Sequence, residues 1–325
     1  MQLRHNPFPL IFAQGDAATV LWCLECLGLA DSPWAQQRLL ELICAQRAGG
    51  AFPSALDAEQ WGMRETVRNG LLLLKLGLPA GGANVASAVR SVQAHALPQG
   101  GWCENPALDI PPFQQTFLSN ARGVTWLTAD AIELLRQAGL AESDECQAAI
   151  GWLRAQQNAL GGWPSVPSES RAVDTDRGDP DATAQVTFLL GELFGPDDPP
   201  YLAGRELYEA FLDEAAADAG RGYRIRPRDG ARQEVEVYGL TLLLLSWLGD
   251  RPRRIESGYD AGHPRVRSLM EALVACQGDD GGWTPFWSED SCARYTALAV
   301  KALCLTRAVP RDELREMARR SLPTL

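Results

Sequence analysis

Apolar residues recur along this chain with helical spacing, and two kinds of helical segment alternate. One kind is apolar nearly all round, as expected of a helix buried on every side; the other is amphipathic, as expected of a covering helix. The first kind is predicted at 17–29, 65–76, 125–135, 181–194, 236–248 and 292–305. The second kind is predicted at 34–46, 84–95, 144–157, 202–217, 264–277 and 311–321. Six inner and six outer helices in alternation predict an all-α fold, an (α/α)6 barrel.

Glycine-rich turns separate the helical pairs at a nearly constant period. Their last glycines are residues 50, 101, 162, 222 and 282, which gives spacings of 51, 61, 60 and 60. Glutamines precede four of the five turns, at Gln46, Gln93, Gln156 or Gln157, and Gln277. Glycine permits left-handed backbone, the glutamine is expected to bond carbonyls at the helix end, and an aromatic after the glycines packs over the joint. This period predicts a single barrel domain over residues 1–325, with residues 1–14 as an N-terminal tail.

The net charge and the lengths of the apolar runs indicate which partners and which cellular location to expect. The net charge of −11 argues against a nucleic-acid partner. The longest apolar run, Leu240–Leu248, is far shorter than the ~20 residues of a spanning helix. The N-terminus has no signal-peptide pattern, so we expect a cytoplasmic protein. We expect the eight cysteines to be reduced and mostly buried, including the C-x-x-C pair Cys23 and Cys26 within one apolar helix.

An acidic loop precedes the fourth inner helix. Four aspartates fall within eight residues, namely Asp174, Asp176, Asp179 and Asp181. One interpretation is helix capping in a solvated loop, because Asp accepts hydrogen bonds from the first N–H groups of a helix. The other is a catalytic acid, since burial and nearby like charge raise the pKa of a carboxyl group while a helix N-terminus opposes the rise. The similar Asp16-Ala17-Ala18-Thr19 at the first inner helix leaves both interpretations open.

Two motifs make the chain resemble the class II terpene cyclases, the superfamily of squalene–hopene cyclase and the prenyltransferase–squalene oxidase repeat. Gln156-x5-Gly162-Trp163 and Gln277-x4-Gly282-Trp283 resemble their QW motif. Asp179-Pro180-Asp181-Ala182-Thr183-Ala184 is similar to their Asp-x-Asp-Asp-Thr-Ala, with Ala182 in place of the third aspartate. The resemblance covers about residues 15–322. Protein prenyltransferase β subunits share the fold, so the fold alone does not determine the function.

The resemblance implies a protonation-initiated cyclase that acts on an isoprenoid or a prenyl diphosphate. Asp181 would be the general acid and Asp179 its acidic neighbour. A carbocation requires a dry pocket with aromatic faces, and arginines can clamp a diphosphate. The predicted substrate-binding residues are Trp126, Phe188, Tyr238, Phe286, Trp287, Tyr295, Arg224 and Arg226. We predict no metal site and no required cofactor, although Mg²⁺ is possible if the substrate carries a diphosphate.

Several alternatives stay open at this stage. Familiar class II cyclases enclose the substrate between this barrel and a second helical domain, whereas this chain has room for one barrel. The cavity would therefore lie within one barrel, a homodimer or second-chain partner would close it, or the substrate would be small. A non-catalytic lipid- or protein-binding barrel that has lost the full Asp motif is the alternative function. A zinc site is not expected, because Asp290-Ser291-Cys292 is followed by no histidine.

Overall fold

The computed structural model describes residues 1–167, 177–218, 251–285 and 290–323. The described part of the chain is mainly α-helical. The helices are α1 Phe8–Gln14, α2 Ala17–Leu27, α3 Pro33–Ala45, α4 Met63–Lys75, α5 Ala83–Ala94, α6 Thr125–Gln137, α7 Asp144–Ala155, α8 Pro180–Phe194, α9 Pro199–Asp218, α10 Pro252–Glu256, α11 Pro264–Ala275, α12 Ala293–Leu305 and α13 Arg311–Ser321. Two short antiparallel strands, β1 Phe52–Pro53 and β2 Trp61–Gly62, and a 3₁₀ turn at Pro112–Gln114 complete the described elements.

Each predicted helix that falls within the described residues is present, with ends displaced by at most three residues. The predicted inner helix at 236–248 lies outside the described residues. The predicted N-terminal tail contains α1, which packs against α12 and α13 with Phe8 and Ile11 fully buried. The sequence pattern missed this helix because seven residues are too few to display a helical period.

The chain packs into two compact units. The central unit comprises residues 40–207, and the terminal unit comprises residues 1–39 and 208–325. In the central unit the inner helices α4, α6 and α8 lie side by side, and α5 and α7 pack against α4 and α6. In the terminal unit α12 packs against α1, α2 and α13. That residues 1–325 form a single barrel domain remains a prediction.

Hydrogen bonds tie each described turn to the inner helix that follows it. In four turns the backbone N–H of the aromatic residue donates to a threonine Oγ1 at 3.0 Å; the pairs are Phe52–Thr66, Trp102–Thr128, Trp163–Thr183 and Trp283–Thr296. The three indole N–H groups donate to a carbonyl ten residues earlier, at Val92, Leu153 and Leu273, over 2.7–2.8 Å. All three tryptophans are fully buried. These side chains therefore fasten an outer helix to its turn, and the threonines give the inner helices a common register.

In three of the four described turns, the glutamine before the turn bonds the turn itself, whereas Gln93 before the second turn donates to Oε2 of Glu145 at 3.3 Å. Gln157 Nε2 donates to the carbonyls of Gly161 at 3.0 Å and Pro200 at 2.9 Å. Gln46 and Gln277 make the same bonds to the carbonyls of Gly50 and Gly281. The expected bond to helix-end carbonyls is therefore wrong, because the acceptors lie in the turn and in the segment packed beside it. Gln157, rather than Gln156, is the motif residue of the third turn.

Candidate active site

The third turn holds Gly178 and Asp179 against the start of α8. The N–H of Asp179 donates to the carbonyl of Trp163 at 2.9 Å, and the Asp179 carboxylate accepts the N–H of Ser165 at 2.6 Å. Gly178 has φ +77, and a Cβ there would lie 2.6 Å from the Trp163 nitrogen. Only glycine combines that backbone conformation with so close an approach. The turn thereby fixes the position of Asp179 and of the helix that carries Asp181.

Asp179 occupies the N-cap position of α8 without acting as a cap. Its side chain makes no capping hydrogen bond, whereas Asp16 accepts the N–H of Thr19 at 2.7 Å at the start of α2. The spacing from aspartate to threonine also differs between the two helix starts. Asp16 precedes Thr19 by three residues, whereas Asp179 and Asp181 precede Thr183 by four and two. The similarity between the two aspartate loops is therefore superficial, and capping does not explain Asp179.

Asp181 lies in the first turn of α8 with its pKa raised to about 7. Burial is the largest cause of the higher pKa, and the neighbouring Asp179 carboxylate adds to it. The backbone N–H groups of Ala182 and Asp181 and the Arg68 guanidinium act in the opposite direction. The residue nevertheless keeps part of its surface accessible. A carboxyl group that is strongly desolvated and yet partly accessible has the properties expected of a general acid.

A charged pair on the two neighbouring inner helices completes this environment. Arg68 on α4 lies with Nε 3.8 Å from Oδ2 of Asp130 on α6. Its guanidinium also lies 5.0 Å from the ring centre of Trp126. The sequence reasoning missed Arg68 and Asp130. The threonines that bond the turns could have revealed both residues. Arg68 follows Thr66 by two residues and Asp130 follows Thr128 by two, just as Gln185 follows Thr183.

Gln185 places a neutral polar group on α8 one turn beyond Asp181. Its side chain is almost fully buried, and its Oε1 has no hydrogen-bond partner among the described residues. A buried acceptor left in that state costs roughly 1–3 kcal/mol. The inner helices of the central unit therefore carry Arg68, Asp130 and Gln185 at equivalent positions, two residues after each turn threonine.

The other predicted substrate-binding residues are placed differently. Trp126 is 5% exposed, and its indole N–H donates to the carbonyl of Phe117 at 2.8 Å. Phe188 is fully buried and packs edge-on against Tyr201 of α9. Tyr295 is buried in the terminal unit at the start of α12. Tyr238, Phe286, Trp287, Arg224 and Arg226 lie outside the described residues, as do Asp174 and Asp176.

Within the described part of the chain, no group of three or more His, Cys, Asp or Glu side chains could hold a metal ion. Cys292, one member of the Asp-x-Cys pair, accepts the N–H of Tyr295 at the start of α12. None of the described helices is long and apolar enough to cross a membrane.

Comparison with known proteins identifies the fold. No protein-family model and no curated protein matches the chain. A solved structure of a protein from Actinoplanes has a TM-score of 0.58 at 17% identity, over 90% of both chains. The type II terpene cyclase MstE from Scytonema has a TM-score of 0.56 at 14% identity, over 92% of this chain and 89% of its own. ent-Copalyl diphosphate synthase from Streptomyces platensis has a TM-score of 0.52 at 18% identity, over 90% of this chain but 50% of its own.

These similarities define a class of structure. Identities of this size show the fold alone, and the fold is the helical barrel of type II terpene cyclases. The predicted all-α, (α/α)6 fold class is confirmed. Variants of MstE have been solved with geranylgeranyl dihydroxybenzoate as substrate and with merosterolic acid A as product.

Proposed function

We propose that this chain is a class II, protonation-initiated terpene cyclase acting on an isoprenoid or prenyl diphosphate, with Asp181 as the general acid and Asp179 as its neighbour. The observation that carries the proposal is the state of the Asp181 carboxyl, whose pKa is about 7. About half of such groups hold a proton at pH 7, compared with about one in a thousand at the ordinary pKa of about 3.9. Asp181 therefore meets the first requirement of a proton donor at neutral pH.

The chemistry follows from the charges around that carboxyl. Asp181 gives its proton to a terminal alkene or epoxide, which leaves a carboxylate and a carbocation. The helix N–H groups and Arg68, which favour the ionised form of Asp181, stabilise the carboxylate after transfer. Successive double bonds attack the cation to close rings, and loss of a proton to a base ends the reaction. The product is then an isomer of the substrate. Trp126, whose ring lies beside Arg68, would offer an aromatic face to the cation.

The fold likeness supports an isoprenoid substrate. MstE, which matches over most of both chains, binds geranylgeranyl dihydroxybenzoate. Since that match covers 89% of MstE, a chain of about this length is compatible with type II cyclase chemistry. A diphosphate on the substrate, a bridging Mg²⁺ and a partner chain that closes the cavity remain parts of the proposal.

A substrate panel tests the proposal. The protein is incubated with prenyl diphosphates, a prenylated aromatic acid and squalene-type polyenes, with and without Mg²⁺, and the extracts are analysed by mass spectrometry. Wild-type protein and Asp16→Asn are expected to yield cyclic isomers of one substrate, and Asp181→Asn none. Asp16→Asn is the matched control, because it makes the same change at a helix start where the aspartate only caps. Cyclisation by Asp181→Asn would remove the mechanism, and tight isoprenoid binding without turnover by wild-type protein would favour the non-catalytic binding barrel.

A further inference from the structure

Three of the eight cysteines gather between α2 and α12 in the terminal unit. The Cys304 thiol donates to the carbonyl oxygen of Cys26 over 3.9 Å, and the Cys26 thiol lies within hydrogen-bonding reach of the Cys304 sulfur. Cys23, one turn earlier on α2, is fully enclosed and lies close enough to sense the charge of Cys304. In the sequence, the C-x-x-C pattern pairs Cys26 with Cys23. The sulfur that Cys26 contacts, however, belongs to a residue 278 positions further along the chain.

Two arginines of α13 make the surroundings of this thiol pair cationic. Arg315 Nε donates to the carbonyl of Leu27 at 2.8 Å. The guanidinium ends of Arg311 and Arg315 lie 3.3 and 3.4 Å from where a Cβ on Gly28 would stand. Nearby guanidinium groups stabilise a thiolate, which is the reactive form of cysteine. Both arginines thus reach the end of the helix that carries Cys26.

The two thiols differ in their readiness to ionise. The hydrogen bond from Cys26 lowers the pKa of Cys304, and Arg311 and Arg315 lower it further, against the effects of burial and of the Glu25 carboxylate. The same hydrogen bond, together with burial, raises the pKa of Cys26. One sulfur is therefore suited to attack and the other to hold its proton until needed, which is the division of labour in dithiol exchange.

We propose that Cys304 and Cys26 form a thiol–disulfide exchange site, at which a small-molecule disulfide oxidises the pair to a bond joining α12 to α2. The Cys304 thiolate attacks one sulfur of the disulfide R–S–S–R, forming a mixed disulfide and releasing R–S⁻. Cys26 then loses its proton to solvent and attacks the Cys304 sulfur, releasing the second R–S⁻. Two cysteine thiols are oxidised and one disulfide is reduced to two thiols, so the atoms and electrons balance.

The position of the two cysteines determines how a disulfide reaches them and what a bond between them does to stability. Cys26 is partly exposed, whereas Cys304 is buried at 8% exposure and Cys23 at 1%, so the disulfide would approach the pair from the Cys26 side. Helices α2 and α12 pack directly on one another. A covalent bond between them closes a long loop of the chain, which constrains the unfolded state and is expected to raise Tm.

Peptide mapping of oxidised protein tests the proposal. The reduced full-length protein is treated with oxidised glutathione under native conditions, quenched in acid, and digested with trypsin without reductant. Cleavage after Arg4, Arg38, Lys301 and Arg307 releases peptides 5–38 and 302–307. We expect these two peptides joined, two hydrogens lighter than their sum, a protein with two fewer alkylatable thiols, and a higher Tm that dithiothreitol reverses. Absence of the joined peptides from folded, glutathione-treated protein overturns the proposal.

Variants assign the two sulfurs. Cys26→Ala is expected to stop at a glutathione adduct on Cys304, and Cys304→Ala to abolish both adduct and link at this site. Cys23→Ala and the exposed-cysteine control Cys44→Ala are expected to keep the link. Arg311→Ala is expected to slow link formation severalfold without preventing it. A link that survives Cys26→Ala but not Cys23→Ala would assign the exchange to the wrong partner and contradict the proposal.

Discussion

Asp181 is a single carboxyl group on which opposing influences act. Burial and the Asp179 carboxylate favour the neutral acid, while the N–H groups of the helix start and Arg68 favour the anion. From the sequence these influences could be named but not summed, because the sum depends on how deeply the carboxyl group is enclosed. With the pKa near 7, the sum favours the acid.

The two charged neighbours of Asp181 are expected to shift the pH dependence of cyclisation in opposite directions. Activity that needs protonated Asp181 is full below its pKa and is lost as the pH rises through it. Asp179→Asn removes a like charge, so the loss moves to lower pH. Arg68→Met removes an opposite charge, so the loss moves to higher pH. Profiles of kcat/KM between pH 5 and 9 measure both shifts. If both variants shifted the pH profile in the same direction, the loss of activity at high pH would belong to the titration of another group.

The raised pKa also makes Asp181 a cost to stability at neutral pH. The folded state keeps a proton up to about pH 7 that the unfolded state releases near pH 3.9, so stability falls as the pH rises between these values. Asp181→Asn is neutral throughout. We expect it to be more stable than wild type at pH 8, by on the order of 2 kcal/mol after allowance for solvent screening, and equal near pH 4. Urea unfolding at pH 4, 6 and 8 measures the difference, and a variant less stable than wild type at pH 8 would contradict the burial argument.

At the scale of elements, the repeated turn decides where the acid stands. Within the described residues, the sequence predicted the turns and every helix except α1 correctly, because periodicity and paired glycines are local signals. It could not separate Gln156 from Gln157, since only the hydrogen bonds of Gln157 distinguish them. Arg68 and Asp130 were missed for a similar reason. Their meeting depends on α4 and α6 lying side by side in a register set by Thr66 and Thr128.

The two adjacent glutamines provide a matched test of the turn. Gln157→Ala removes two hydrogen bonds to main-chain carbonyls and is expected to destabilise the protein by about 1–3 kcal/mol. Gln156→Ala is expected to change stability by no more than about 0.5 kcal/mol. Chemical denaturation of both variants makes the comparison. Equal effects would mean that the turn does not depend on this side chain.

Gly178 links the turn to the acid. Gly178→Ala would place a methyl group 2.6 Å from the Trp163 nitrogen, and the loop that carries Asp179 would have to move. Gly139→Ala is the control, because Gly139 also has positive φ (+81) but open space around it. We expect both to lose about 1–2 kcal/mol through backbone strain, and Gly178→Ala alone to lose most of its kcat. If Gly178→Ala keeps wild-type kcat, the loop position is irrelevant to catalysis.

At the scale of the whole molecule, the comparisons show the fold, and the fold by itself determines neither the function nor the substrate. The structural match covers most of MstE but only half of ent-copalyl diphosphate synthase. The similarity in fold therefore does not require a second helical domain. The fold class was predictable because six helical pairs, separated by five glycine-rich turns, recur along the sequence. The substrate was not, because specificity depends on which side chains of separate helices share a cavity.

Cyclisation in D₂O tests the central claim most directly. A reaction started by Asp181 takes its proton from a group in exchange with solvent and later releases another, so the product is an isomer of the substrate. In D₂O, wild-type protein is therefore expected to yield a cyclic product carrying one deuterium at the carbon protonated first, and Asp181→Asn to yield none. A cyclic product without deuterium, or one formed with release of the diphosphate, would contradict protonation by Asp181.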